Sequence, residues 1–253
     1  MTALVLTVEH ASCAVPPGLD LGLPAEVVSS HIGWDPGALP LAEALASARG
    51  APLHAGAVSR LVVDLNRRES DPGAIPAVAF GVRVPGNEGL APADRDARLR
   101  RWHRPFRAAV ACDVAARVAS GGCLHLSVHS FDPSLSADRS GLDLGVLFDP
   151  ARPAEVAVAR ALLDALVAAG LDARVNAPYA GTAEGHTTAL RERHPKGYVG
   201  IELELAQGLP PARADAARRA LSVALTRALG PLPPTSSSPA GGYGTTAPSR
   251  SDP

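Results

Sequence analysis

Leu124-His125-Leu126-Ser127-Val128-His129 alternates apolar and polar side chains without a break. A side-chain period of two makes this stretch a strand, with Leu124, Leu126 and Val128 on one face and His125, Ser127 and His129 on the other. Upstream, residues 93–118 read as mostly helical, with Pro105 forcing a break or kink. Downstream, residues 144–148 read as a second strand. Residues 154–169 form the clearest helix, with an apolar stripe of Val156, Ala159, Leu162, Leu163, Leu166 and Val167, stopped by Gly170. A strand at 173–175, a loop through Gly185, a strand at 199–205 and a helix at 212–229 ended by Gly230 follow.

Toward the N-terminus, residues 3–8 read as a buried strand, and 25–31 and 39–48 as helices on either side of a Gly/Pro loop at 33–37. Residues 53–57 and 61–63 read as strand pieces, and 70–90, rich in Pro and Gly, as a long surface excursion. Strands alternating with helices in this way predict an α/β three-layer sandwich, with a largely parallel mixed sheet covered by helices on both faces.

The chain has 253 residues, 46% hydrophobic and 19% charged, enough apolar material for one core of ordinary size. That core is expected within one domain over 1–230, and the Pro/Ser/Gly/Thr-rich 231–253 is expected to be a disordered tail. A formal net charge of −1 argues against a general nucleic-acid binder and gives no electrostatic case for a membrane surface. Six arginines between 95 and 107 surround Trp102, but Asp94 and Asp96 partly balance them, so a solvated helix face is the better reading. No apolar run approaches the roughly 18–20 residues that span a bilayer. The N-terminus has no basic region, and Cys13, Cys112 and Cys123 are odd in number without CxxC spacing, so a cytoplasmic protein with reduced thiols is expected. Of the 24 basic residues only Lys196 is lysine, a bias of composition rather than a functional signal.

Chemistry-bearing residues gather at strand ends, where open α/β sheets place their sites. Glu9-His10 ends the first strand, Asp64-Leu65-Asn66-Arg67 follows residue 63, and His129 ends the strand at 124–129. Glu202 and Glu204 share one face of the last strand, where two carboxylates are costly unless a metal or an arginine meets them. Neutral imidazoles such as His10 and His129 at neighbouring strand ends suit a first-row metal, with a carboxylate as third ligand and one position left for water. The alternative is that both histidines cap strands through backbone hydrogen bonds.

Val63-Asp64-Leu65-Asn66-Arg67 and Val128-His129-Ser130-Phe131 resemble two motifs of the zinc carboxypeptidase fold. The sequence more closely resembles the N-formylglutamate amidohydrolase family, which shares that fold. The matching segments are Glu9-His10-Ala11-Ser12, His31 to Ala38, Ser59 to Arg67, His129-Ser130-Phe131, Pro178-Tyr179-Ala180-Gly181 and Gly200 to Gln207, in order over about residues 3–208.

The resemblance implies metal-assisted hydrolysis of an amide in a small N-acyl amino acid, N-formylglutamate being the family's type substrate. It implies one divalent ion, zinc by preference, on His10, His129 and a carboxylate, for which Asp35 is the choice. Zinc carboxypeptidases carry a glutamate where this chain has Cys13, so a Cys13 thiolate is the competing third ligand, its other reading being a small buried thiol. Glu204 is the implied base, with Glu202 in reserve. Arg67 with Asn66 is the implied clamp for a substrate carboxylate, joined by Arg60 unless that residue forms a surface salt bridge. Asp64 is expected to fix local backbone or an arginine, His125 to pack beneath the site, and His186 to lie in a loop. His31, His54, His103 and His194 are read as structural. A peptidase on the same scaffold and a non-catalytic binding module are the competing functions, and specificity is expected in loops such as 70–90.

Overall fold

The structure, a computed structural model, describes residues 3–230. The tail expected over 231–253 lies outside the described residues. In chain order the elements begin with β1 (Ala3–Val8), α1 (Ala25–Val28), α2 (Ala38–Arg49), β2 (Leu53–Ala55), β3 (Val78–Ala79) and β4 (Val82–Arg83). Then come α3 (Pro92–Arg98), a π-helical turn (Leu99–His103), α4 (Arg104–Ala119), β5 (Cys123–Phe131) and β6 (Leu144–Leu147). The last are α5 (Pro153–Ala168), β7 (Ala173–Val175), α6 (His186–Arg193), β8 (Tyr198–Ala206) and α7 (Pro211–Leu229).

Six strands form one sheet in the order β2-β1-β5-β8-β6-β7, and β3 and β4 make a separate hairpin. Every neighbouring pair in the large sheet is parallel except β6 against β8. The architecture is thus the expected mixed, mostly parallel sheet. Its centre is β5 paired with β8 along the whole length of both, from Cys123↔Tyr198 to Phe131↔Ala206.

The two faces of the sheet differ in chemistry because the alternation in β5 is repeated by its neighbours. Leu4, Leu6 and Val8, Leu124, Leu126 and Val128, and Ile201, Leu203 and Leu205 all point one way, into a core closed by α2, α5 and α7. Truncating one such leucine to alanine costs about 2–5 kcal/mol. On the other face apolar contact lies at the strand starts, where Val5, Cys123 and Tyr198 meet Val110 and Val114 of α4 and Leu190 of α6, and at the far ends of β5 and β8, where Phe131 and Ala206 meet Leu142. Between them the register aligns Thr7, Ser127 and Glu202, then His129 and Glu204. The sheet therefore carries a polar half-face at the carboxyl ends of its strands, and the site grows from it.

Several expectations are corrected. The first helix ends at Val28, because the Ser29 and Ser30 hydroxyls turn back onto the carbonyls of Glu26 and Val27. Residues 61–63 form a tight turn rather than a strand: the Val62 and Val63 amides both bond to the Ser59 carbonyl, while the side chains fill a second apolar cluster with Leu65, Ile75 and Val84. Ala74, Ile75 and Val84 are buried, so 70–90 is not purely a surface excursion. The break expected at Pro105 is a widened π turn just before it, which accommodates a residue that cannot donate to the carbonyl one turn back. Val167 falls outside the buried stripe of α5 and is exposed.

The arginine-rich helices are not a uniformly solvated face. Arg98 is buried and donates to the Asn87 side-chain oxygen and to the carbonyls of Val62 and Gly86. Arg107 donates to the carbonyls of Leu65 and Asn66. These guanidinium groups satisfy backbone carbonyls that the irregular 61–67 segment cannot pair in a ladder. Among the described residues, no helix is long and apolar enough to cross a membrane.

Candidate active site

His10 follows the end of β1, and His129 stands near the end of β5, the adjacent strand. Asp35 reaches them from the loop before α2, its amide donating to the His10 carbonyl at 2.9 Å, so the loop is docked on the strand end by backbone. The Oδ2 atom of Asp35 lies 2.9 Å from His129 Nδ1 and 3.3 Å from His10 Nδ1. All three residues are buried, and a ligand atom from each falls within 4.8 Å of the others. The structure thus brings together the three residues proposed from sequence as metal ligands. Cys13 is not in this group: it is half-buried and packs against the second apolar cluster.

The far sides of both rings are occupied. His10 Nε2 lies 2.7 Å from Asp64 Oδ1, and burial near Arg60 pushes this imidazole down to about 4. Burial would raise the Asp64 carboxyl, but His10, Arg60 and the Asn66 amide hold it well below the ordinary range, so it accepts and His10 Nε2 carries the proton. Ser127 donates its hydroxyl to Glu9 Oε2 at 2.8 Å, and its oxygen lies 2.9 Å from His129 Nε2, which donates to it. With Asp64 and Ser127 on the outer nitrogens, His10 and His129 both turn Nδ1 toward the same carboxylate oxygen of Asp35. Two imidazole nitrogens and a carboxylate oxygen gathered this closely are the donor types of a divalent-cation site, and a nitrogen–nitrogen–carboxylate set suits zinc.

Glu9, placed from sequence at the end of the first strand but given no role of its own, is the hub beneath this cluster. It is 1% exposed, accepts from His186 Nδ1 at 2.8 Å as well as from Ser127, and lies 3.5 Å from His129 Nε2. Burial alone would raise its carboxyl, but the hydrogen bond and charge of His186, with His129 and His125 nearby, hold it well below the usual range. Its signal was its parity with Thr7, which puts it on the polar face. His186 is therefore no mere loop residue, being buried at the start of α6 against Glu9. His125 packs deeper, between the hydroxyls of Thr7 and Tyr198 at 2.9 and 2.7 Å, and burial pushes it down to about 3.

Glu204 stands opposite His129 across the β5–β8 pair. Burial pushes its carboxyl up to about 7, and its Oε2 atom is buried without a hydrogen-bond partner. Glu202, two residues back on the same face, is also raised by burial. Both line a cavity of about 540 Å³ that opens over His10, Asp35 and His129.

Arg60 is not in a surface salt bridge: it is nearly buried and pairs through Nη2 with Asp35 Oδ1, the oxygen facing away from the histidines. Arg67 lines the cavity with its side chain 47% exposed, 3.8 Å from Asp71. Asn66 uses its side-chain oxygen to accept from the His186 amide at 2.7 Å, which leaves its NH₂ group for the cavity. Asp64 fixes His10 as well as local backbone, and His103 donates to the Arg67 carbonyl from behind. His31, read as structural, also lines the cavity, 3.2 Å from Asp132.

The sequence profile of the family described as N-formylglutamate amidohydrolase matches residues 2–209, and the chain belongs to that family. The crystal structure of gene product Atu2144 from Agrobacterium tumefaciens is similar at 34% identity, with a TM-score of 0.77 and 90% of each chain covered. An N-formylglutamate amidohydrolase from Ralstonia eutropha JMP134 shares the fold at 19% identity and a TM-score of 0.69, over 90% of this chain and 93% of that one. No curated protein matches the sequence.

Proposed function

We propose that the domain over residues 1–230 is a metal-dependent amidohydrolase of the cytoplasm, cleaving the amide of a small N-acyl amino acid of the N-formylglutamate type. The observation that carries this reading is the convergence of His10 Nδ1, His129 Nδ1 and Asp35 Oδ2, with Asp64 and Ser127 occupying the outer ring nitrogens. His10, Asp35 and His129 would hold the ion, zinc by donor type. When bound, such an ion polarises a carbonyl and makes water a nucleophile at neutral pH.

The remaining work falls to side chains of this chain. Glu204 is the base that takes the proton of the attacking water and returns it to the departing amine nitrogen. A carboxyl pushed up to about 7 suits both halves of that task. Glu202 stands behind it as the reserve base and keeps the floor acidic. Arg67, with the Asn66 NH₂ group, grips the substrate carboxylate, and the charge-assisted fork fixes the amide over Glu204. Arg60 holds Asp35 in place so that Oδ2 faces the two imidazoles.

The test is hydrolysis of N-formyl, N-acetyl and peptide substrates by zinc-replete protein, with elemental analysis of unmodified and His129→Ala protein. The reading expects amide cleavage, about one ion per chain, and loss of both in the variant. Equal metal content in the two proteins removes His129 from the ligand set.

A further inference from the structure

Four large apolar side chains left exposed by the fold stand on the rim of one cavity. Val78, Phe80, Leu135 and Tyr179 are 57%, 51%, 46% and 36% exposed, and all four line the space above His10, Asp35 and His129. The other exposed large apolar residues, Val167, Val175 and Val223, are scattered over α5, β7 and α7. Single exposed apolar residues need no explanation, but a cluster around a charged floor marks a binding surface.

Phe80 is held there against its backbone preference. It occupies the tip of the β3–β4 hairpin with φ 50, followed by Gly81 with φ 80. A two-residue hairpin turn with both φ values positive suits Asn-Gly, and a bulky aromatic in its first position is strained. The ring lies over the Arg60 guanidinium at 5.7 Å and meets the His31 ring edge-on at 5.4 Å. The hairpin thus places an aromatic face beside the arginine that holds Asp35.

The charges of the cavity set a second condition. Two guanidinium groups line its walls, Arg60, which is engaged by Asp35, and Arg67, while Arg139 stacks on the ring of Tyr179 at 4.9 Å. Arg67, with Asp71 no nearer than 3.8 Å, is free to grip one carboxylate. Glu202 and Glu204, raised by burial, and Glu184 and Asp132, paired with Arg68 and His31, are also on the walls and offer a second carboxylate no partner. A volume of about 540 Å³ lies within the range that holds ligands well above the size of a formyl amino acid.

We infer that the substrate is an N-acyl amino acid with one carboxylate and an apolar group, the carboxylate on Arg67 and the apolar group against Val78, Phe80, Leu135 and Tyr179. This rests on the amidohydrolase reading and narrows it away from a dicarboxylate such as N-formylglutamate.

The experiment compares kcat/KM for N-formylphenylalanine, N-phenylacetylglycine and N-formylglutamate with zinc-replete protein. Calorimetric binding of the same three to Glu204→Gln protein runs alongside. The expected result is a preference of about tenfold or more for one of the apolar substrates, the range hydrophobic pockets deliver. Which one wins tells whether the apolar group is the side chain or the acyl group. Phe80→Gly, which suits the backbone at φ 50, and Leu135→Ser should each shrink that preference, while Val223→Ser on α7 should keep it. Tighter binding and faster hydrolysis of N-formylglutamate overturn the inference, as does a preference that neither rim variant alters. Tighter binding of an apolar compound with no hydrolysis of any of the three supports the inference and sinks the hydrolytic reading instead.

Discussion

Asp64 Oδ1 lies 2.7 Å from His10 Nε2, on the opposite side of the ring from Asp35. The carboxylate fixes the tautomer and turns the Nδ1 lone pair toward the site, as outer carboxylates do for metal-bound imidazoles. Asp64→Ala should therefore weaken zinc binding about 10- to 100-fold without removing a ligand. Competition against a chelator of known affinity measures this. Unchanged affinity would mean that Asp64 serves only the Asn66 backbone.

Asp35 and Cys13 separate cleanly. Asp35→Ala should abolish stoichiometric metal, because it removes the atom shared by both imidazoles and leaves Arg60 without its partner. Cys13→Ser should keep the metal, since Cys13 packs with the second apolar cluster. Elemental analysis after dialysis decides, and the reverse pattern transfers the role to the thiol.

Glu204→Gln should lower kcat by about 10²–10⁴-fold while metal content stays near one per chain. A base must be deprotonated to accept a proton, so activity falls as pH drops through the Glu204 pKa. Burial, helped by the neighbouring Glu202 and opposed by His129 and Arg60, pushes that carboxyl up to about 7, and a bound cation draws it lower. The acid limb of kcat/KM is thus expected below pH 7, and it should vanish from the residual activity of the variant. An acid limb unchanged in Glu204→Gln would assign it to another group.

Arg67 should discriminate free acids from their amides. A charge-assisted bidentate contact in a water-excluded site contributes on the order of 2–4 kcal/mol, about 30- to 1000-fold. Arg67 is 47% exposed before substrate covers it, so the lower end is expected. Arg67→Lys should keep the charge yet lose most of the discrimination, because lysine has no fork. The measurement is kcat/KM for an N-acyl amino acid and its C-terminal amide with both proteins. Equal rates on the two substrates in the unmodified enzyme would exclude Arg67 as the clamp.

Arg98 makes a purely structural prediction. Its removal strands the Asn87 oxygen and the Val62 and Gly86 carbonyls in a buried site. Arg98→Ala should cost roughly 2–4 kcal/mol in urea unfolding and loosen the segment that leads to Arg67. A loss under about 0.5 kcal/mol would show that water replaces the guanidinium.

What the sequence by itself determined is the sheet and the nature of its two faces. The strict alternation of 124–129 and of 201–205 forces leucines to one side and His129 and Glu204 to the other, because successive side chains on a strand must oppose. Hydrophobic periodicity likewise settled α5 and α7 nearly to their ends. The motif resemblance then picked out His10, Asp35, His129 and Asn66-Arg67 as a group, without saying how they touch.

What only the tertiary structure decided is every relationship made across loops. Residues 61–63 look like a strand because Leu61, Val62 and Val63 are apolar, but their burial comes from packing with Ile75 and Val84, and no neighbouring strand offers a ladder. The roles of Glu9 and Asp64 as partners behind the histidines depend on contacts spanning 118 residues to Ser127 and 54 residues to His10. No local pattern encodes such contacts, because they exist only once parallel strands set distant segments side by side. Arg60 shows the same limit: a guanidinium in a loop reads as solvated until the fold buries it against Asp35, where desolvation makes its pairing obligatory.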